Sequence, residues 1–299
     1  MIMALDKQSA FGRPILMACV LTSLSVGFNA DAEISEPGGK LLLTRGITSV
    51  DGTGGGGIVP WALIAGNETD RGIGATAHLT RVTLPDFDVM SYGAAIGVSD
   101  RLEFSYTRQE LDTGGTGPKL GLPDGSTFGQ DILAAKVRIA GDAVYEQDTW
   151  MPQVAIGATY KQADHGDLLS TLGAEDDDGV EVYVSATKLM LAQSLLVAGT
   201  LRYTEANQNG LLGFGGTSDP SIHPEVSVGY LLSKRLLVGG EYRAKPDNLA
   251  FAEEEAWVDL FAAFAVNKAV TVTAAYADLG SIATFDDQRG LYLSLQVGF

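Results

Sequence analysis

Residues 291–299 read Leu-Tyr-Leu-Ser-Leu-Gln-Val-Gly-Phe. Apolar side chains occupy every second position from Leu291 to Phe299, and the positions between them are Tyr, Ser, Gln and Gly. Because successive side chains of a β-strand point to opposite faces, this stretch predicts a strand with one apolar and one mostly polar face.

The same alternation recurs along the rest of the chain. In each case one face is consistently apolar, and the other is made of small or polar residues. This is the pattern expected of a strand with lipid on one side and a wet barrel interior on the other. The clearest examples are Leu102–Tyr106, Leu195–Tyr203, Leu236–Tyr242 and Val270–Tyr276.

The links between these stretches alternate between short turns and longer loops rich in Gly and Asp, of which Asp51–Gly57 is the first. A transmembrane barrel has short periplasmic turns and longer outer loops, which explains this alternation. We therefore predict an all-β, antiparallel, up-and-down transmembrane β-barrel forming a single domain over residues 33–299. The count gives 14 strands, at 40–50, 58–66, 71–83, 88–98, 101–111, 130–140, 150–161, 180–188, 194–204, 223–231, 235–243, 255–265, 269–278 and 289–299.

The first two of these strands fit the pattern least well. Pro60 interrupts 58–66 and cannot donate a hydrogen bond to a neighbouring strand. Arg45 falls in the middle of 40–50 on no consistent face. The alternative is a 12-strand barrel with residues 33–66 folded inside or beneath it.

Residues 1–32 have the layout of a secretory signal peptide. A polar start is followed by the apolar run Ile15–Phe28 and by Ala-Asp-Ala32, so we predict export with cleavage after Ala32. The run is too short for a membrane-spanning helix. Cys19 partly resembles a lipoprotein cleavage site, but Met17 fits poorly and the apolar run continues beyond it. Cleavage after Ala32 leaves no cysteine, and therefore no disulfide and no thiol nucleophile.

The formal net charge is −17, and an acidic chain of this kind is a poor nucleic-acid binder. Three acidic clusters, at 175–178, 253–255 and 286–287, fall in or beside predicted outer loops. The first is a weak candidate for binding divalent cations through carboxylate oxygens, which would bridge the protein to lipopolysaccharide. Its members are Glu175, Asp176, Asp177 and Asp178.

Several charged or titratable residues fall on the inward face of the predicted strands. Charges of both signs inside a barrel set the selectivity of a channel, or else pair with one another and close a narrow one. The predicted pore-lining residues are His78, Glu103, Lys136, Arg138, Glu181, Arg202, Glu225 and Asp259.

No group of residues forms an enzyme signature, and we predict neither an enzyme nor a cofactor or metal centre. His78 and a serine on a neighbouring strand would be the start of a membrane-embedded hydrolase, but nothing in the sequence marks such a serine. His165 lies in an outer loop and His223 at a strand entrance. The glycines of 51–57 predict a flexible turn, since Ile58–Trp61 follows where a phosphate loop needs a helix.

Two resemblances add to this interpretation. The last strand resembles the C-terminal strand of bacterial outer-membrane barrels, which implies an outer-membrane location and recognition of the strand ending at Phe299 by the barrel-insertion machinery. Residues 39–48, 54–66 and 73–77 resemble a proteobacterial family known only as a domain of unknown function. That likeness implies a porin-like barrel and no activity, substrate or site.

These observations favour a pore or channel for small solutes in the outer membrane. The alternative is a structural or adhesive barrel whose acidic loops contact cations, lipopolysaccharide or a protein partner. An open, water-lined interior would favour transport, and an interior of interlocked Glu, Lys and Arg would favour the alternative. A channel for hydrophobic solutes predicts an apolar pocket inside the barrel and a lateral gap in its wall, and we expect neither from the inward positions.

Overall fold

The computed structural model describes residues 40–44 and 47–299. The predicted signal peptide, its cleavage after Ala32 and Cys19 lie outside the described residues. Short helical segments occur only in the links of the described part: α1 (Gly166–Thr171) and 3-10 turns at Gly114–Leu120, Leu191–Gln193 and Asn207–Gly210. None of the helices in this part is long and apolar enough to cross a membrane.

Twelve antiparallel strands form a closed barrel. Each strand pairs with its neighbours in the sequence, and the first pairs with the last, with Ala77 opposite Val297. Closure leaves no strand edge unpaired. The strands are β1 (Ile73–Thr83), β2 (Asp88–Val98), β3 (Leu102–Asp112), β4 (Thr127–Ala140), β5 (Gln153–Ala163), β6 (Asp178–Met190), β7 (Leu195–Thr204), β8 (Ser221–Ser233), β9 (Leu236–Arg243), β10 (Trp257–Ala265), β11 (Val270–Asp278) and β12 (Arg289–Gly298).

The fold class is confirmed, and the 12-strand alternative is the correct count. The predicted strands at 40–50 and 58–66 are wrong, and so is the outer loop at 51–57 between them. Pro60 and the glycine run of 54–57 interrupt any continuous ladder, and this part of the chain makes only isolated bridges, such as Thr48 with Gly54 and Gly55 with Pro60.

The alternation in the last strand matches the two faces of the wall. Leu291, Leu293 and Leu295 are exposed on the outside, whereas Tyr292 and Ser294 are buried on the inside. The same division holds around the barrel and produces a continuous belt of exposed apolar side chains. A belt of this extent is a surface for lipid rather than for water.

The links also sort by length. The long-loop end carries 113–126, 164–177, 205–220, 244–256 and 279–288, together with the short link 84–87. The short-turn end carries 99–101, 191–194, 234–235, 266–269 and the longer link 141–152. Phe299 lies at the short-turn end, where its backbone N–H donates to the Ala75 carbonyl over 3.0 Å.

Candidate functional site

The segment 47–68, which we call the plug, occupies the interior of the barrel, and every residue in it is buried. It is folded on itself by backbone hydrogen bonds, including one from Val50 N–H to the Gly57 carbonyl at 2.8 Å. It also lies tightly against the wall: a Cβ at Gly56 would be 1.7 Å from Glu241 Oε1, so any larger residue there would displace the Glu241 carboxylate. The glycine-rich stretch is therefore what allows the chain to pack inside the wall.

A network of three cations and three anions joins the plug to one side of the wall. Arg243 Nη1 lies 2.8 Å from Asp51 Oδ2, and Lys161 Nζ lies 2.6 Å from Glu181 Oε2. Their side chains are at most 3% exposed, so each charge depends on its partners rather than on water. We call this the charged side of the interior; its members are Asp51, Lys161, Glu181, Arg202, Glu225 and Arg243.

Asn209, from the long loop 205–220, completes this network. Its Nδ2 donates to Asp51 Oδ1 over 2.7 Å, and its Oδ1 accepts from Lys161 Nζ and Arg243 Nη2, both over 2.6 Å. Burial alone would raise the pKa of Asp51, but Arg243, Lys161 and Arg202 together hold it well below its usual range. Asp51 is therefore an anion held between the wall and the loop.

A second ion pair fixes the plug nearer the short-turn end. Glu103 Oε2 and Lys136 Nζ are 3.1 Å apart and almost fully buried. Glu103 accepts hydrogen bonds from the backbone N–H groups of Gly54, over 3.0 Å, and Ala65, over 2.7 Å. Lys136 donates to the carbonyls of Gly54 and Trp61 over 2.9 and 3.2 Å. The pair thus satisfies backbone groups that the plug, lacking regular structure, cannot satisfy itself.

Two further buried carboxylates face the plug without a cation. Glu241 and Asp259 are opposite each other on β9 and β10. Glu241 Oε2 accepts from Ile58 N–H over 2.8 Å, while neither oxygen of Asp259 has a hydrogen-bond partner among the described residues. A Cβ at Gly57 would lie 3.2 Å from Asp259 Oδ2. The plug therefore passes directly over this pair.

All but one of the predicted pore-lining residues are buried inside the barrel. The exception is Arg138, which is half-buried at the short-turn end, where its Nη1 lies 2.7 Å from Asp100 Oδ2. The role of the buried residues in solute passage stays a prediction, because in this structure their side chains contact the plug or one another. The buried members are His78, Glu103, Lys136, Glu181, Arg202, Glu225 and Asp259.

His78 does have a serine beside it, but the geometry is not that of an activated nucleophile. His78 Nε2 is 3.3 Å from Ser91 Oγ, and Ser91 Oγ donates its proton to the Val50 carbonyl over 2.7 Å. Nδ1 of His78 has no hydrogen-bond partner in the described part of the chain, so nothing there orients the ring as a base. The remaining histidines, His165 and His223, lie outside this interior arrangement.

The acidic cluster 175–178 spans the end of the link 164–177 and the first residue of β6, and its Glu175, Asp176 and Asp178 are exposed. Asp176 pairs through its backbone with Phe214. Residues 40–44 and 47–299 contain no group of three or more His, Cys, Asp or Glu side chains arranged to hold a metal ion. Binding of divalent cations by this cluster stays a prediction.

The opposite side of the interior, at the level of Arg243, is apolar. The expectation of no apolar pocket is wrong: a cavity of about 30 Å³ lies there, and a second of about 60 Å³ lies above it among the loops of the long-loop end. We call them the inner and the outer cavity. The signal was present in the sequence, because Val82, Val89, Leu111 and Phe128 share the inward face of their strands with Thr80, Ser91, Gln109 and Gln130. These four apolar residues lie at the ends of their strands. The inward face of each strand was predicted to be polar along its whole length.

A closed up-and-down barrel with an apolar outer belt and polar groups inside defines a transmembrane β-barrel, here with its interior occupied by a plug. The chain belongs to the family described as "Protein of unknown function (DUF3034)", which matches residues 44–296. This confirms the resemblance to a family of unknown function. No curated protein matches the sequence.

Solved porin-like barrels are similar in fold and distant in sequence. The KdgM porin in complex with disordered oligogalacturonate is 8% identical with a TM-score of 0.50, covering 75% of this chain and 99% of that one. The NanC porin is 11% identical (TM-score 0.47, coverage 75% and 98%). Outer membrane phospholipase A from Escherichia coli is also 11% identical (TM-score 0.41, coverage 75% and 92%). The likeness to the KdgM porin shows the fold and nothing further.

Proposed function

We propose that the protein is an outer-membrane channel for small solutes, closed in this structure by its own plug. The observation that carries the proposal is that a separate segment, and not the side chains of the wall, occupies the interior. Eight strands already make a barrel that its own side chains can fill. A wall of twelve strands encloses a larger interior, and in this protein the plug fills that interior.

The contacts of the plug support its release. It is joined to the wall at β1, and much of its binding to the interior is through hydrogen bonds and ion pairs, as at Asp51, Gly54 and Ile58. These bonds involve charged groups, and because water replaces them when the plug leaves, each adds only about 1.5–3 kcal/mol net. The plug also contributes Ile58, Val59 and Trp61 to the apolar core, so its release requires hydration of that part of the interior as well.

The proposed location follows from the outer belt. A wall of exposed apolar side chains needs lipid, and a closed barrel satisfies every backbone group while crossing it. The predicted signal peptide supports export, and the strand ending at Phe299 supports recognition by the insertion machinery of the outer membrane.

A second candidate is the structural or adhesive barrel. The charged side favours it, because three cations balance three anions and leave no unpaired charge to attract a passing ion. The two functions differ in one measurable respect, which is whether the intact barrel ever conducts.

The test is conductance of the refolded mature protein in a planar bilayer, with a tether that fixes the plug. The mature chain is predicted to lack cysteine, so Gly57→Cys with Asp259→Cys introduces one disulfide between plug and wall, at positions in contact. We expect stepwise conductance from the wild type, its loss in the oxidised variant, and its return on reduction. Asp259→Cys alone controls for the lost carboxylate and should conduct in both redox states.

The opposite result is also clear. If the wild type and the reduced variant stay silent while a gel shows a folded, heat-modifiable barrel, the channel is wrong and the structural barrel is favoured.

A further inference from the structure

The interior of the barrel is divided between two kinds of lining. The charged side belongs to β5–β9, whereas the inner and outer cavities lie against β1–β4 and β10–β12 and reach the loops at the long-loop end. Neither cavity is lined by a single charged side chain. The cations nearest to Trp257, Arg243 and Lys245, lie 5.5 and 5.2 Å from the centre of its ring, and they are paired with Asp51 and Glu254.

The inner cavity is enclosed by the plug and the wall together. Val50 and Ile58 of the plug face Val82, Val89 and Trp257 of the wall across it. The Trp257 side chain is buried, and its indole N–H has no hydrogen-bond partner in the described part of the chain. A buried donor without a partner is destabilising, and a ligand carrying an acceptor would relieve that cost.

The outer cavity lies above it, among the loops of the long-loop end. Leu111 and Ile282 line both cavities and form the partition between them. On the outer side the lining includes Phe251, which is 38% exposed, so the apolar surface continues to the solvent. Movement of the two partition side chains would join the cavities into one chamber that runs from the loops to Trp257.

We propose that this chamber binds a small, uncharged, mainly apolar molecule that carries one hydrogen-bond acceptor, such as a substituted aromatic ring, entering past Phe251. Apolar cavities in proteins stay dry and accept apolar guests, and a cavity of about 150 Å³ takes up benzene. The inner and outer cavities are each smaller than that, so the ring enters only as the Leu111 and Ile282 side chains move aside and the loops around Phe251 open. A charged ligand is disfavoured, because burying an unpaired charge costs far more than burying a ring. The acceptor pairs with the Trp257 N–H.

The proposal names a solute class for the channel and rests on that function for its biological role. Binding itself does not require passage, so the two are measured separately. The competing explanation is that the cavities are packing defects of the apolar core that the loops make with the wall.

Tryptophan fluorescence tests the site directly. The chain has three tryptophans, of which Trp150 is 93% exposed and Trp257 lines the inner cavity. The full mature protein is prepared with Trp257 alone (Trp61→Phe and Trp150→Phe), and with Trp150 alone as the matched control for partition into the micelle. The ligand is p-bromoanisole, which has one ring, one ether oxygen and a quenching bromine.

We expect saturable quenching of Trp257 and only linear quenching of Trp150. The charged analogue p-bromobenzoate should bind at least about tenfold more weakly. Ala277→Leu, which fills the inner cavity, should abolish the saturable phase, whereas Ala263→Leu, at a buried wall position away from both cavities, should retain it.

Linear and equal quenching of both tryptophans in a folded protein would overturn the site and leave packing defects as the explanation. A saturable phase that survives Ala277→Leu would also overturn it, because the ligand would then lie elsewhere. Conductance without saturable quenching removes the binding site and keeps the channel, and the reverse result removes the channel and keeps the site.

Discussion

The charged side and the apolar side of the interior lie at the same level of the barrel but are packed very differently. On the charged side, the ion pair of Asp51 with Arg243 at 2.8 Å brings the plug into direct contact with the wall. On the apolar side, Val82, Val89 and Leu111 leave the inner cavity between wall and plug. Directional polar contacts define where the plug must lie, whereas the non-directional apolar contacts do not fix a single position for it.

The two sides meet at neighbouring residues. Arg243 belongs to the charged side and is opposite Trp257 of the apolar side on the next strand, with its guanidinium 5.5 Å from the centre of the indole ring. Gln109 donates to the Val50 carbonyl over 2.6 Å and also lines the inner cavity. The charged side therefore holds the plug in place, whereas the apolar side has room for a ligand.

The largest expected effect comes from breaking the charged side at its plug residue. Asp51→Ala leaves three buried cations facing two anions, and we expect a loss of about 3–5 kcal/mol in the free energy of unfolding. Urea unfolding of the refolded barrel in micelles, followed by circular dichroism, measures it.

The matched control is Asp88→Ala. Asp88 pairs with Arg81 at 3.2 Å on the exposed surface of β1 and β2, where removal of the carboxylate should change stability by no more than about 1 kcal/mol. Equal losses in the two variants would mean that the network does not hold the plug.

A smaller effect is expected on the apolar side. Leu111→Ala removes the partition between the cavities and should cost about 2–3 kcal/mol, towards the lower end for a buried leucine, because the neighbouring cavities already deprive the side chain of contacts. The same unfolding measurement applies, and ligand quenching of Trp257 should strengthen as the chamber opens.

Leu133→Ala on the lipid face of β4 is the control for Leu111→Ala, since Leu133 is 49% exposed and should lose clearly less. A Leu111→Ala variant as stable as the wild type would show that the apolar side contributes nothing to holding the barrel together.

The wall was predictable from the sequence because its alternation is a local property. Each strand from β1 to β12 carries its own period of two, and inward positions such as Glu103 and Asp259 follow from parity alone. The plug has no such period, since its form depends on contacts with distant strands. Asp51 and Arg243 pair across 192 residues, a relation that one sequence does not display.

The candidate site was therefore found in part. Lys161 and Arg243 are the last residues of two predicted strands, and their side chains lie on the inward faces. Extending the alternation to these terminal positions would have placed both among the predicted interior residues. Asn209 was out of reach, because a loop residue that binds three charged groups has no periodic signal. The apolar side was not predicted, because Val82 and Leu111 lie on the same inward strand faces as polar residues and were grouped with them.

The smallest expected effect concerns Glu68, at the short-turn end, whose buried carboxylate is not fully balanced by a neighbouring cation. Burial raises the pKa of Glu68 to about 7 from 4.5, although Lys40 Nζ lies 3.4 Å from Glu68 Oε1. The folded protein therefore keeps this proton at pH values where the unfolded chain has lost it. The resulting stabilisation is complete below about pH 4.5 and is lost as the pH rises through about 7, by at most about 2 kcal/mol.

Glu68→Gln carries a permanent analogue of the protonated carboxyl group and should flatten this pH dependence. Unfolding free energies at about pH 5 and about pH 8 for the wild type, Glu68→Gln and the exposed control Glu253→Gln measure the difference. The wild type and the control should both lose stability over this interval, and Glu68→Gln should lose less. Parallel slopes for all three proteins would show that Lys40 compensates Glu68 fully, so that the short-turn end resembles the balanced charged side around Asp51.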